Sequence, residues 1–231
     1  MSQFDVSMLL SGQYHDWLVS GFALSLKLAL VTLVIALPLA LLVVVLRLAP
    51  VVMLRAVGVV FVEAIRNVPL LAHMLFWYFG APEVLPGPIK AWLYERDIEA
   101  ASAVIALVLY TAAYMSEDIR SGIRSIPKEQ MEASRALGFS FLGAMRLVIL
   151  PQALRVTVPP LISQTLSLWK NTSIAMVIGV AEMMYQAQQV ESASFRGFEA
   201  FAFATAAYLT ISLAITGLAA WYHHHYPVRS A

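Results

Sequence analysis

The sequence predicts an all-α membrane protein with five transmembrane helices. Three observations carry that prediction. Of 231 residues, 60% are hydrophobic and 13% charged, against roughly 25% charged in soluble domains, so no single globular core could hide the apolar side chains. Runs without a charge recur at the length of a bilayer crossing, for which a hydrocarbon layer of about 30 Å requires about 20 helical residues. Lys and Arg are distributed unevenly among the connections between those runs, as they are in chains inserted with a fixed orientation. The net charge of +1 offers no reason to invoke nucleic acid, and the lack of cysteine excludes disulfide and thiolate chemistry.

Taken in chain order, residues 1–20 contain Asp5 and Asp16 but no Lys or Arg. They lack the basic start of a cleavable signal peptide and are expected to form an extracytoplasmic segment. Leu28 to Leu46 is the first uncharged run; Lys27 lies close enough to its end to snorkel, and Pro38 is tolerable where a neighbouring helix covers the freed carbonyl. Met53 to Gly80 is long enough to span but is interrupted by Glu63, Arg66, Asn67 and Pro69. Ala100 to Ser116 is the third run. Leu147 to Trp169 is the fourth, despite Arg155 and the pair Pro159-Pro160. Thr172 to Ala181 is apolar but half a span long, the length of a re-entrant or half-buried helix. Ala200 to Tyr222 is the fifth and cleanest crossing.

Orientation follows from the basic residues beside the short connections. Arg47 and Arg55 lie between the first two helices, and Arg120, Arg124, Lys128, Arg135 and Arg146 between the third and fourth. The opposite side has Lys90, Arg96 and Arg196. The N-terminus is therefore expected outside, and the tail 223–231, with Arg229, inside.

The longest of the inner connections carries the most specific pattern. Ser125-Ile-Pro127-Lys-Glu129 reads as a helix start, with Ser125 a candidate N-cap and Glu129 near the positive dipole end. Gly138 then breaks the helix, and Phe141, Leu142 and Met145 recur at helical spacing before the chain re-enters the membrane. Such a segment either lies in lipid headgroups or offers an apolar anchor to the groove of a soluble partner. Glu132-Ala133-Ser134, three residues, Gly138, nine residues, Val148, one residue and Leu150-Pro151 resembles the EAA loop of ATP-binding-cassette (ABC) importer permeases. Two positions depart from that pattern, Ser134 for its second alanine and Val148 for its isoleucine. The resemblance extends over residues 20–222, through VEAIRNVPLL (62–71), AYMSEDIRSGIRSIPKEQMEA (113–133), LPQALRVTVPPL (150–161) and KNTSIAMVIGVAEM (170–183). These words look like the polar amino-acid branch of the permeases, and AIRNVPL, APEVLPG and RGFEAF look most similar to glutamate/aspartate import subunits.

That resemblance implies a type I importer transmembrane domain at 20–222 with a coupling loop at about 125–147. Glu132, Ala133, Ser134, Gly138, Leu150 and Pro151 would then transmit the movement of a dimeric ABC ATPase. It also implies a second permease subunit, identical or related, an extracytoplasmic solute-binding protein, and a multi-pass place in a bacterial inner membrane. The chain would bind no cofactor itself, with ATP and Mg held by the ATPase. In keeping with this, the sequence has no GxxxxGK[ST], HExxH or GxSxG motif.

Intramembrane polar groups are the pointers to a pathway. Glu63 and Arg66 lie three apart on one helix face and are read as an ion pair beside Pro69, or as pathway residues. Lys170, Asn171, Thr172 and Ser173 stand where the half-span helix starts, so they either cap it or face the substrate path. Arg155 is expected to snorkel. Ser163, Gln164, Thr165 and Ser167 either line the path or hydrogen-bond neighbouring helices. His223 to His225 are read as interfacial. The rival reading is an ion-coupled secondary transporter with Glu63 or Glu182 as the proton-coupling carboxylate.

Overall fold

The computed structural model describes residues 7–95 and 97–226. Asp5, Arg96, Arg229 and the tail beyond residue 226 lie outside the described residues. Among the described residues, twelve α-helices follow one another: α1 (Ser7–Leu10), α2 (Gln13–Leu48), α3 (Val52–Arg66), α4 (Leu70–Leu75), α5 (Ala81–Val84), α6 (Gly87–Tyr94), α7 (Ile98–Arg124), α8 (Lys128–Ala136), α9 (Phe141–Ala144), α10 (Leu150–Asn171), α11 (Met183–Ser194) and α12 (Gly197–His225). Wider π turns join α4 to α5 (Phe76–Gly80) and α9 to α10 (Met145–Ile149), and a 3₁₀ helix, Thr172–Ile178, extends α10. Among the described residues, four continuous helical stretches are long and apolar enough to cross a membrane, and a bent pair makes the fifth when counted as one broken span.

The first span is 36 residues, longer at both ends than its uncharged run. Only one stripe of it is buried, through Leu18, Gly21, Ser25, Leu28, Thr32, Ala36, Ala40 and Val43. These positions recur every three or four residues and are mostly small, which is how helices approach each other where lipid supplies no hydrophobic drive. The stripe lies mainly on α7 and α11. Leu30, Val34 and Val45 on the other faces are exposed, as lipid-facing side chains are.

The second span, expected from Met53 to Gly80 with interruptions at Glu63, Arg66, Asn67 and Pro69, is two helices rather than one. The chain bends by 102° between Val52–Arg66 and Leu70–Val84. Pro69 cannot continue a helix from its N-terminal side, and Asn67 turns its side-chain amide back onto Glu63 O at 2.8 Å. The imidazole of His73, one turn into α4, makes a 3.0 Å bond across the break to Ile65 O. An orphan carbonyl at the end of α3 is thereby satisfied where water is scarce.

Helix α7 is the axis of the fold. Asp97 caps it, accepting from Ala100 N at 2.8 Å, and it packs on α2, α3, α4 and α10. Ser102, Ala103, Ala106, Ala112, Ala113, Ser116 and Gly122 are buried along it. At Gly122 the crossing with α10 is so close that a Cβ would stand 1.9 Å from Thr157 Oγ1. The fourth span runs without a gap from Phe141 to Ile178. The separate half-span helix expected at Thr172 to Ala181 is thus a tightened continuation of α10, ended by Gly179 at φ +92°. A polar knot then fastens the loop behind it, with Glu182 capping α11 and reaching α2 and α12.

Candidate functional site

The connection between α7 and α10 is built for exposure. Ser125 is not the N-cap of α8 but the C-cap of α7, its hydroxyl donating to Gly122 O at 2.8 Å; Pro127 occupies the N-cap position of α8. Helix α8 ends in a Schellman motif: Gly138 N donates to Arg135 O at 3.0 Å and Phe139 N to Ser134 O at 3.2 Å. The motif requires a left-handed residue, and Gly138 supplies it at φ +90°. Glu132 and Ala133 are exposed on α8, whereas Ser134 is buried. The departure of Ser134 from alanine is harmless because its hydroxyl folds back on Gln130 O at 2.6 Å. Ser140 caps the next turn by accepting from Gly143 N at 3.0 Å. Leu137 (81% exposed), Leu142 (75%) and Phe141 (62%) stand out around the bend, leaving an apolar knob on a charged segment.

This knob is joined mechanically to the membrane. Helix α8 packs on the π turn Met145–Ile149, and that turn passes directly into Leu150-Pro151 at the start of α10. Arg155 is exposed one turn further on.

At the other end of α10 lies a polar cavity of about 310 Å³, within the roughly 300–1,000 Å³ typical of small-molecule sites. Tyr110, Thr111 and Tyr114 of α7 line one wall; Gln164, Ser167, Leu168 and Asn171 of α10 line the other. Tyr110 and Thr111 lie four and three before Tyr114, and the α10 positions recur at three or four, so they make one face of each helix. Tyr110 and Tyr114 stack with ring centroids 4.8 Å apart, and His73 meets Tyr110 edge-on at 6.3 Å. At one end of the cavity, Gln164 Nε2 donates to Asp118 at 2.9 Å. The guanidinium of Arg66 lies over the Tyr114 ring, 4.9 Å from its centroid. Beyond it, Glu117 on a neighbouring face of α7 is held by Arg47 and by Arg120, the latter at 3.0 Å.

Several expected site residues therefore change role. Glu63 and Arg66 do not pair: Glu63 accepts from Asn67 Nδ2 at 3.0 Å while Arg66 turns to Tyr114. Asn171 lines the cavity. Thr172 and Ser173 cap nothing, because α10 does not stop; each donates backwards, to Trp169 O at 2.8 Å and Lys170 O at 2.7 Å. Lys170 is exposed and off the lining stripe of α10, one residue from Asn171 and hence about 100° around the helix. Gln164 and Ser167, open between lining and bonding, do line the cavity. Tyr110, Tyr114 and Asp118 were missed by the sequence reading. Their signal was a polar side chain at every fourth position (110, 114, 118) of α7, obscured because the third run was measured by its lack of charge and stopped at Ser116.

Glu182 does not suit proton coupling. One oxygen accepts from Met184 N and Tyr185 N at 2.9 and 3.0 Å, the other from Ser25 Oγ at 3.1 Å and Tyr208 OH at 2.9 Å. Ser25 is committed as a donor because its oxygen takes Met183 N at 3.1 Å. The side chain is fully buried, and a proton arriving there would displace one of four donors.

The described residues form a helical membrane subunit with an exposed apolar knob on one connection and a polar cavity at the far end of the helix that follows it. Its class follows from its sequence relationships. The chain belongs to the family of binding-protein-dependent transport system inner membrane components, whose model matches residues 36–226. It is 35% identical over 204 residues to the glutamate/aspartate import permease protein GltJ of Escherichia coli, covering 86% of this chain and 82% of that one. It is 37% identical over 210 residues to the probable glutamine ABC transporter permease protein GlnM of Bacillus subtilis, covering 91% and 89%. Among solved structures, an amino acid ABC transporter with histidines superposes with a TM-score of 0.84 at 28% identity, covering 97% of this chain and 100% of that one. The MetNI methionine ABC transporter shares the fold, with a TM-score of 0.66 at 19% identity over 90% of this chain and 96% of its own. The protein is the permease subunit of an amino-acid ABC importer, and the secondary-transporter reading is withdrawn.

Proposed function

We propose that this permease admits a polar amino acid of the size of glutamate, aspartate or glutamine into the cytoplasm of a bacterium, across the inner membrane. In this reading the α8–α9 connection is cytoplasmic and the N-terminus lies outside. A dimeric ATPase grips α8 and carries ATP and Mg, a second permease subunit completes the pathway, and an extracytoplasmic binding protein delivers substrate. The observation that carries the proposal is the continuity of one lever. Helix α8 rests on the π turn, the π turn enters α10 at Leu150-Pro151, and α10 ends in the wall of the cavity. Closure of the ATPase dimer on Leu137, Phe141 and Leu142 would then tilt α10 against α7 and change which side the cavity faces. Glutamate/aspartate, favoured by resemblance, shares the names of the relatives with glutamine.

Reconstitution into proteoliposomes with the ATPase and binding protein tests this. Uptake of labelled glutamate or glutamine is expected with ATP inside and not with an ion gradient alone. Gradient-driven uptake without the ATPase would overturn the reading.

A further inference from the structure

Two turns of the chain are widened in the same way, and a proline explains both. The amide of Ala81 donates to Phe76 O and that of Leu150 to Met145 O, five residues back rather than four. Each of these residues precedes a proline, Pro82 and Pro151. A proline ring inside a regular α-helix crowds the carbonyl four residues earlier and brings no N–H to the ladder. One extra residue in the preceding turn opens that space and leaves a carbonyl without its backbone donor. Within a membrane such a carbonyl requires another partner.

The two turns receive that partner differently. In Phe76–Gly80, the buried Ser102 of α7 donates its hydroxyl to Trp77 O at 3.2 Å, and the turn packs on α7 as well as on α4 and α5. It is fastened to the axis of the fold. In Met145–Ile149 the donor comes from just beyond the turn itself, where Gln152 Nε2 donates to Val148 O at 2.9 Å. This turn packs chiefly on α8, α9 and α10, the elements it connects, and Arg146 and Leu147 on it are exposed. A widened turn with one latch and little lateral support is where a push on the knob would first bend the chain. Taking the lever proposed above, we infer that Gln152 is a positioning residue for coupling. Its amide stiffens the joint at Met145–Ile149, so that force applied to α8 tilts α10 instead of bending the joint. Loss of one neutral hydrogen bond raises the population of the bent joint by about 2- to 12-fold.

Because the chain has no cysteine, the joint can be watched by site-directed spin labelling. Lys128→Cys on α8 and Arg155→Cys on α10, both at exposed positions, are labelled in the permease–ATPase complex in lipid nanodiscs, and their distance distribution is measured by pulsed electron resonance. Gln152→Leu keeps the bulk and loses the donor; it is expected to add a second, bent population to that distribution. In proteoliposomes with the binding protein, without labels, the same variant is expected to lower glutamine or glutamate uptake per ATP hydrolysed by at least about 2-fold, while hydrolysis itself is retained. Gln152→Lys restores a long donor and should return both readouts towards the parent. Retention of the ATPase on size exclusion establishes that each variant is folded. An unchanged distribution in Gln152→Leu, or a failure of Gln152→Lys to restore it, overturns the latch and leaves the lever standing. A broadened distribution with unchanged uptake per ATP means that the joint carries no force, and overturns the lever reading together with this one. Loss of hydrolysis in proportion to uptake would place Gln152 in the seating of the ATPase and overturn its role as a stiffener.

Discussion

The crossing of α7 and α10 at Gly122 gives the sharpest quantitative prediction, because it lies between the lever and the cavity. In Gly122→Ala the new methyl would stand 1.9 Å from Thr157 Oγ1 and 3.1 Å from Thr157 Cβ. Thr157 is 3% exposed, and its hydroxyl donates to Ala153 O at 2.8 Å. Rotating the threonine removes the first clash but gives up that bond and keeps the second contact, so the helices must also part. Overpacking costs about 1–3 kcal/mol and the lost hydrogen bond about 0.5–1.5 kcal/mol. Alanine returns about 1 kcal/mol over glycine in helix propensity. The net loss is about 0.5–3.5 kcal/mol, which lowers the melting temperature by roughly 1–14 °C for a chain of this size. Thermal unfolding of the detergent-purified subunit, followed by tryptophan fluorescence, measures it. In a Thr157→Ala background the hydroxyl clash is gone, so the same substitution should cost at least about 1 kcal/mol less. An unchanged melting temperature, or an equal drop in both backgrounds, would refute a crossing limited by these two residues.

Gly138→Pro removes the donor of the bond to Arg135 O and cannot adopt φ +90°; membrane insertion should be normal while substrate-stimulated ATP hydrolysis by the complex is lost. Normal stimulation would count against α8 as the lever. Tyr208→Phe deletes one of the four donors to Glu182 and should destabilise the subunit by about 1–2 kcal/mol, whereas Glu182→Gln, which points an amide N–H₂ at committed donors, should cost more. Thermal melts that rank the two in the reverse order would contradict the bonding described. His73→Leu leaves Ile65 O without its imidazole partner, and hydrogen exchange across residues 66–73 should rise at least several-fold while that of α7 holds; no change there would mean the break is held by Pro69 alone.

Much of the architecture was legible because in a bilayer every backbone group must be satisfied within its own helix, so uncharged length maps onto spans. The EAA-like spacing was legible for a different reason. A Schellman turn needs one left-handed residue at one place, and Gly138 marks it in the linear pattern. Ser134 looked like a departure and proved neutral, since a hydroxyl can bond its own helix. What misled was the treatment of charge as local. Glu63 and Arg66 share a helix face, yet the 102° bend brings Arg66 to Tyr114, a partner 48 positions away that no spacing rule connects to it. Thr172 and Ser173 have the composition of a cap, and they bond backwards because α10 continues through them.

By itself, then, the chain determined that it crosses a membrane, where its main spans lie and where its longest inner connection turns on a left-handed glycine, since these depend on apolar length and on the backbone demands of single residues. Only the tertiary structure decided which polar side chains form a cavity. Tyr110, Asp118, Gln164 and Asn171 come from two helices whose facing is set by where Gly122 lets them touch, and Arg66 arrives from a third, broken one. A polar residue in a span has several faces and neighbours open to it, and packing selects one.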